Sequence, residues 1–214
     1  MTRTIAIVDE HRPADLSTFR LMASAGYLVF NFANPHAFLG TELPQPADCV
    51  LLDIPMPGAG RLDLLRALAI LQDPPSVLVI ADSGDVALAV EAMKLGAVDV
   101  LERPCPPEKL IEAIEHACML RERLVRAAAA RQRAVARVTS LPLRLRQVLR
   151  GVAMGRANKL IAYELALSTR TVEAYRAQLF VKLGVRTTAD AIKIAVAAGL
   201  DRLGTDAPPR AEPF

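Results

Sequence analysis

A chain of 214 residues is long enough for two small domains, because a single hydrophobic core usually stops growing before that length. The apolar fraction of 52% and the charged fraction of 23% exclude a chain too polar to bury a core. No apolar run reaches the roughly 18–20 residues that span a bilayer, and the N-terminus lacks the apolar stretch of a signal peptide, so we expect a cytoplasmic protein without a membrane partner.

Charge divides the chain into two parts. Residues 1–120 contain 8 lysines and arginines against 16 acidic residues, a net charge of −8. Residues 121–214 contain 18 against 7, a net charge of +11. This division indicates an acidic module joined to a basic one, and a basic module commonly faces nucleic acid. A solvated basic surface would give the same excess, so charge alone leaves both alternatives open.

The first 105 residues alternate short apolar runs with amphipathic stretches. This order predicts a parallel sheet covered by helices on both faces, a doubly wound α/β (flavodoxin-like) domain over residues 1–120. The predicted strands are Thr4–Val8, Tyr27–Asn31, Cys49–Leu52, Val77–Ala81 and Val98–Leu101. The predicted helices between them are Ala14–Ser24, Pro35–Leu39, Leu62–Leu71 and Val86–Leu95. Cys49, Cys105 and Cys118 have no metal-ligand spacing and are expected to be small buried residues.

Between Pro107 and Pro142 the sequence contains neither glycine nor proline, which predicts one long helix, with residues 121–139 as a helical linker. Apolar residues recur in it at alternating four- and three-residue steps, interrupted by Arg131. This pattern is compatible with a dimeric coiled-coil seam and equally with a monomeric linker. The positions concerned are Ala113, Ala117, Leu120, Leu124, Ala127, Ala134 and Val138. Residues 202–214 are predicted to be a disordered tail.

Three carboxylates follow predicted strands: Asp9 and Glu10 after the first, and Asp53 after the third. The carboxyl ends of neighbouring parallel strands lie together, so these groups are expected to converge on one pocket. Clustered carboxylates suit Mg²⁺, and one of them could then accept a phosphoryl group. The alternative is that each acid only caps the following helix.

Four separated segments resemble the receiver domain of bacterial response regulators, most closely in the NarL/FixJ branch. They are Ile7–Glu10, Leu51–Pro57, Gly84–Val86 with Ala89–Asp99, and Glu102–Pro104. The resemblance implies that Asp53 is the phosphoacceptor, that Asp9, Glu10, Asp53 and the carbonyl of Pro55 form a Mg²⁺ site, and that a sensor histidine kinase is a partner.

Four switch positions depart from the family pattern. Ala81 replaces a threonine or serine, Asp82 replaces a small residue, Val100 replaces an aromatic residue, and Arg103 replaces a lysine. Two hypotheses follow. Either a kinase still phosphorylates Asp53, or the receiver is atypical and governed by protein contacts, ligand or redox state. We favour the second, because Ala81 offers no hydrogen-bond donor and Asp82 adds repulsion toward a phosphoryl group.

The basic part of the chain, over residues 140–201, predicts a small all-α domain of four helices. They are Pro142–Arg150, a helix capped by Asn158 and ending at Leu165, a helix from Ser168 or Thr169 to Leu183, and a helix from Thr187 to Gly199. The two middle helices are joined by a short turn, as in a helix-turn-helix. The second of these has an apolar side, Val172, Tyr175, Leu179 and Leu183, which is expected to pack inward.

The opposite side of that helix carries Glu173, Ala174, Arg176 and Ala177, which could meet a DNA major groove. In isolation an ordinary amphipathic surface helix would look the same. The surrounding residues resemble the LuxR-type helix-turn-helix: Gln147–Leu149, Gly155, Asn158–Ala162, Leu167–Glu173 and Lys182–Val185. The resemblance implies base contacts from Glu173, Ala174 and Ala177. The candidate phosphate contacts, chosen by resemblance or by charge and face, are Asn158, Lys159, Arg170, Thr171, Arg176 and Lys182.

The combined patterns predict a sequence-specific transcriptional regulator that binds double-stranded DNA as a homodimer, at half-sites about one helical turn apart. The alternative is a signalling-interaction protein whose receiver binds a partner and whose helical domain has little sequence-specific affinity for DNA. An enzyme is the weakest interpretation, because no nucleophile–base constellation accompanies the acidic pocket. Mg²⁺ is the one cofactor that the sequence implies.

Overall fold

The computed structural model describes residues 2–9, 16–43, 46–54, 62–71 and 73–201; the side chains of residues 16 and 17 are not described. The predicted metal ligands Glu10 and Pro55 and the predicted tail, residues 202–214, lie outside these ranges. The chain divides into two compact units, Met1–Val125 and Arg126–Phe214. The domain limits at residues 120 and 139 stay predictions. In the described part of the chain, no helix has both the length and the apolar character that crossing a membrane requires.

The described residues of the first unit form a parallel sheet in the strand order β2-β1-β3-β4-β5. Its elements alternate along the chain: β1 Thr4–Asp9, α1 Leu16–Ser24, β2 Leu28–Phe32, α2 Pro35–Leu39, β3 Cys49–Asp53, α3 Asp63–Ala69, β4 Ser76–Asp82, α4 Val86–Lys94 and β5 Asp99–Arg103. The predicted doubly wound α/β fold is confirmed. Strand β4 extends one residue beyond its predicted end and β5 extends two, which adds Asp82 and Arg103 to the sheet.

The sheet is buried on both faces because alternate residues of each strand pack on opposite sides. Ala6, Val50 and Val79 contact one core, with residues of α3 and α4. Ile5, Leu51 and Leu78 contact the other, with Met22 of α1 and residues of the following long helix. This two-sided burial explains why the strands are continuous apolar runs in the sequence.

One helix, α5, extends from Pro107 to Thr139 and contributes to both units. Its first part buries Ala113 and Ala117 in the core of the sheet, and its last part buries Val138 in the helical core. These packing contacts exclude a coiled-coil seam through all seven predicted positions. Leu124 between them is 62% exposed.

Arg121 anchors α5 to the first unit. Its side chain is buried and donates hydrogen bonds to both carboxylate oxygens of Asp73, at 2.9 and 3.1 Å, and to the carbonyl of Pro74, at 2.7 Å. A buried arginine is tolerated only with such partners, because a lone charge away from water costs several kcal/mol, on the order of 3–5 kcal/mol when one partner is removed. The interaction fixes the point where α5 leaves the sheet.

The second unit contains α6 Leu143–Ala153, α7 Asn158–Leu165, α8 Thr169–Leu183 and α9 Thr188–Ala197. Ser168 caps α8 by accepting a hydrogen bond from the Thr171 amide at 3.0 Å, and Thr187 caps α9 in the same way through Asp190 at 3.1 Å. Both caps were predicted. The predicted cap at Asn158 is wrong: the N-cap of α7 is Ala157, and Asn158 is the first helical residue.

Close helix packing holds the second unit together. A Cβ atom on Gly151 of α6 would lie 2.7 Å from Cγ1 of Ile161 in α7, so glycine permits this contact. Arg137 of α5 donates a hydrogen bond to the carbonyl of Leu183 at the end of α8. This donor satisfies one of the carbonyl groups that a helix leaves unpaired at its C-terminus.

The turn between α7 and α8 contains a strained residue. Ala166 has φ 52° and ψ 48°, the left-handed conformation that glycine adopts without a steric penalty. We expect Ala166→Gly to raise the free energy of unfolding of the C-terminal unit by about 0.5–1 kcal/mol, because relief of strain exceeds the added entropy of the unfolded chain. Urea denaturation followed by circular dichroism measures the change.

The matched control is Ala128→Gly, at an exposed position inside α5. This substitution is expected to lower stability by about 1 kcal/mol, because glycine is a poor helix former. If Ala166→Gly destabilised the protein as much as the control does, the assigned backbone strain would be wrong.

Candidate functional site

Four charged residues lie at the carboxyl edge of the sheet: Asp9, Asp53, Asp82 and Arg103. Asp9 and Asp53 are register partners on β1 and β3, and Asp82 and Arg103 are register partners on β4 and β5. Parallel strands that end in register bring their last side chains to one edge. The sequence predicted this position for Asp9 and Asp53.

Arg103 connects two of the carboxylates. Its Nη2 group forms an ion pair with Oδ1 of Asp53, and its Nη1 group donates a hydrogen bond to Oδ1 of Asp82 at 3.3 Å. The Asp53 side chain is only 18% exposed, so this ion pair is less screened by water than a surface pair. We call Asp53, Asp82 and Arg103 the ion triad.

The two other predicted switch positions are apolar and packed. Ala81 is 2% exposed and belongs to the core beside α3 and α4, and Val100 is half-buried against the same core. Neither side chain has a hydrogen-bond donor. Of the four switch positions, Arg103 alone therefore carries a side-chain hydrogen-bond donor. It contacts both Asp53 and Asp82.

Asp9 and Asp53 fit Mg²⁺ by the chemistry of their donors, because this cation prefers carboxylate oxygens and retained water molecules. Their adjacent register places both at one edge of the sheet. Among the described residues, no group of three or more histidine, cysteine and acidic side chains is arranged to hold a metal ion. The predicted third carboxylate, Glu10, lies outside those residues.

A cavity of about 440 Å³ adjoins the ion triad. Asp9, Asp53 and Arg103 contribute charged atoms to its lining, and Ile7 and Leu51 contribute apolar ones. Cys105 also lines the cavity and is partly exposed, which corrects the prediction that all three cysteines are buried. Burial raises the pKa of the Cys105 thiol, and nearby Lys109 opposes this effect.

The helix-turn-helix surface is built by α7 and α8. Glu173, Ala174 and Ala177, the predicted base contacts, are all exposed on α8. Lys159, Arg170 and Lys182, three predicted phosphate contacts, are exposed as well. Thr171 is half-buried, and its hydroxyl lies 2.8 Å from that of Ser168 in the helix cap.

Arg176 and Asn158 are partners of one another. Arg176 donates from Nη1 to Oδ1 of Asn158 at 2.7 Å and from Nη2 to Oγ1 of Thr188 at 3.0 Å. Both Arg176 and Asn158 are half-buried. The sequence placed Arg176 on the groove side together with Glu173, whereas the structure gives its guanidinium two intramolecular partners at the starts of α7 and α9.

Two exposed residues on α8 were missed by the sequence analysis. Gln178 lies four residues after Ala174, and Val181, which is 82% exposed, lies four residues after Ala177. Extending the helical period by one more turn would have found both. Gln178 carries an amide of the kind that pairs with adenine, and Val181 an apolar group of the kind that contacts thymine methyl groups.

Family models match both parts of the chain. Residues 5–115 match the response regulator receiver domain, and residues 139–195 match the luxR family of bacterial regulatory proteins. The chain is similar to the transcriptional regulatory protein FixJ of Bradyrhizobium diazoefficiens, with 39% identity over 92% of this chain and 96% of that protein. The FixJ protein of Azorhizobium caulinodans is 36% identical over 92% and 93%.

Solved structures agree with these matches. The response regulator StyR superposes with a TM-score of 0.74 at 30% identity, covering 92% of this chain and 99% of that one. Full-length FixJ of B. japonicum superposes with a TM-score of 0.56 at 38% identity, covering 94% and 99%.

Cys105 should report access to the cavity. We expect iodoacetamide to modify Cys105 before Cys49 and Cys118, which are buried and whose pKa values burial raises, that of Cys118 to about 11. Because the pKa of Cys105 is also raised, its alkylation should be slower at pH ~8 than that of an unstructured cysteine and should keep accelerating above pH ~8.5. Peptide mass mapping over a pH series measures this order.

The Cys105→Ser variant is the control, and in its folded state it should remain almost unlabelled. Modification of Cys118 as fast as that of Cys105 would contradict the assigned burial.

Proposed function

This chain belongs to the NarL/FixJ family of response regulators, and on that basis we propose that it is an atypical member in which the ion triad replaces the phosphorylation switch. It is a two-component transcriptional regulator with a receiver domain and a LuxR-type DNA-binding domain. Its relatives are transcription regulators. The observation that carries the proposal is the contact of Arg103 with both Asp53 and Asp82.

The electrostatics of the ion triad support this interpretation. A phosphoryl group on Asp53 would bring added negative charge close to Asp82, and like charges a few ångströms apart repel strongly where water is partly excluded. Arg103 would have to neutralise both groups. Ala81 supplies no hydroxyl to bind a phosphoryl oxygen. The barrier to phosphorylation is therefore higher here than in a site with a hydroxyl and without the third carboxylate.

Mg²⁺ belongs to the same proposal. Asp9 and Asp53 would hold the ion, together with the predicted ligands Glu10 and the carbonyl of Pro55. When bound, Mg²⁺ neutralises charge on the oxygens of a transferred phosphoryl group. In this chain Arg103 already provides a positive charge at Asp53, so the ion and the guanidinium compete for one carboxylate. A sensor histidine kinase is the partner that a receiver domain implies.

DNA binding is proposed to use the exposed side of α8 in the major groove. Ala174 and Ala177 allow close approach, Glu173 can accept a hydrogen bond from a cytosine amino group, and Gln178 can pair with adenine. Lys159, Arg170 and Lys182 are exposed and would contact phosphates on either side. Thr171 contributes through the helix cap that positions the first turn of α8.

We infer that the protein acts as a homodimer, since one short helix reads only one half-site. Exposed apolar residues of α4 support this inference: Val86 is 69% exposed, Val90 48% and Met93 49%. They recur at four- and three-residue steps, so they share one side of the helix. A second copy that covers this side would remove them from water, which is favourable for association.

Phosphorylation of Asp53 tests the role of the ion triad. Incubated with acetyl phosphate and Mg²⁺, the native protein is expected to show almost no phosphoryl adduct by intact mass spectrometry. The double variant Ala81→Thr/Asp82→Ala is expected to gain an adduct, because it restores a donor and removes the repelling carboxylate. Adding Asp53→Asn to the double variant should abolish that adduct.

Glu102→Ala is the matched control, because it removes one exposed carboxylate from the neighbouring strand β5, at the residue paired with Ala81. It should leave the adduct yield unchanged. Efficient adduct formation in the native protein that is lost in Asp53→Asn would overturn the proposed role of the ion triad and support ordinary phosphorylation.

Titration of promoter fragments by fluorescence anisotropy at several salt concentrations tests DNA binding. We expect sequence-preferring binding whose affinity falls steeply with salt, with two chains per pair of half-sites. Arg170→Ala should weaken binding to all fragments about equally and lower the salt slope by about 0.9. Arg20→Ala, which removes an exposed arginine of α1 in the first unit, is the control. Equal affinity for every fragment would favour the signalling-interaction alternative.

A further inference from the structure

The hydrogen bonds of Arg176 indicate a role for this residue other than direct DNA contact. We propose that Arg176 is a positioning residue, which fixes the side-chain amide of Asn158 so that its Nδ2 group faces a DNA phosphate at the start of α7. The proposal rests on the proposed DNA contact of α7 and assigns the residue that orients it. The observation that supports it is the 2.7 Å hydrogen bond that Nη1 of Arg176 donates to Oδ1 of Asn158.

The chemistry of the two side chains determines which way the amide points. A guanidinium can only donate hydrogen bonds, so the atom of Asn158 that faces it must be the oxygen. The Nδ2 group, with its two donors, is then directed away from Arg176. An asparagine without such a partner could present either end of its amide outward. Arg176 therefore selects the orientation with donors outward, which suits an anion.

The surroundings of Asn158 suit a phosphate. Asn158 is the first residue of α7, and the preceding Ala157 offers no side-chain cap to the amide groups of that first turn. These amide groups and the positive end of the helix dipole attract anions. Lys159, the next residue, is exposed and adds a positive charge. An outward Nδ2 group would complete this set of donors.

The second branch of Arg176 fixes its position. Nη2 donates to Oγ1 of Thr188 at 3.0 Å, and Thr188 is the first residue of α9. Arg176 thus connects α8 to the first residues of two other helices. The two hydrogen bonds together hold the guanidinium in place, so the direction of the Asn158 amide is held as well.

A double-mutant cycle in the full-length protein tests the proposal. The dissociation constant of native protein and of the variants Arg176→Ala, Asn158→Ala and Arg176→Ala/Asn158→Ala is measured on one preferred DNA fragment over a range of salt. Each single variant is expected to weaken binding about tenfold. The double variant should be no weaker than either single one, because Arg176 acts through Asn158. The salt slope should stay unchanged, since a neutral amide releases no counterion.

A direct phosphate contact by Arg176 predicts different results, and these would overturn the proposal. Arg176→Ala would then lower the salt slope by about 0.9, and its effect would add to that of Asn158→Ala. Arg170→Ala is the matched control, because this exposed arginine lies on the same helix and is expected to behave in that second way.

Arg176→Lys covers the case in which Arg176→Ala does not fold. Lysine keeps the charge but lacks the two-pronged geometry, so affinity should fall while the salt slope stays constant; retained affinity would contradict the proposal. If the native protein itself showed no sequence preference, the proposed DNA binding would fail. A native preference with an additive cycle would reject the positioning role alone.

Discussion

The parallel register of β1, β3, β4 and β5 forces acidic side chains together at one edge of the sheet, and the rest of the receiver depends on how that repulsion is relieved. In this chain a guanidinium relieves it. Arg103 lies at the end of β5, where it contacts Asp53 and Asp82 at once. Both carboxylates consequently have a cationic partner before any phosphoryl group arrives. On the proposed function, a regulatory input would act on these two contacts, through a cation, a phosphoryl group or a protein contact.

The long helix α5 is the structural element that the two units share. Ile114 and Ala117 near its start are buried against the sheet, and Val138 near its end is buried in the helical core. Arg121 and Arg137 add hydrogen bonds in the first and second units. Between them, the side chains of residues 122–128 are exposed, so apolar burial contributes little to the stability of this stretch.

The side of α8 that we propose faces DNA carries small and polar residues, whereas larger apolar residues on the other side pack in the helical core. Ala174 and Ala177 are exposed on α8, whereas Val172, Leu179 and Leu183 are buried. Such a division is what an amphipathic period produces when one side packs and the other faces a groove. The bonds of Arg176 to the starts of α7 and α9 show that a charged residue on this helix can serve packing as well.

The sequence by itself determined the two fold classes and the order of strands and helices along the chain, because the hydrophobic period is a local property. It also predicted the positions of Glu173, Ala174 and Ala177 on the exposed side of α8, and the convergence of Asp9 and Asp53 at the ends of parallel strands. It also identified Ala81, Asp82 and Arg103 as departures, one by one. Only the tertiary structure showed that Arg103 joins Asp53 to Asp82, that Arg176 bonds to Asn158 and Thr188, and that Ala157 precedes α7 without a side-chain cap. The residues joined by these side-chain contacts are 12 to 50 positions apart in the sequence. A long flexible side chain can reach several nearby partners, and the folded geometry, which residue spacing does not encode, decides which of them it contacts.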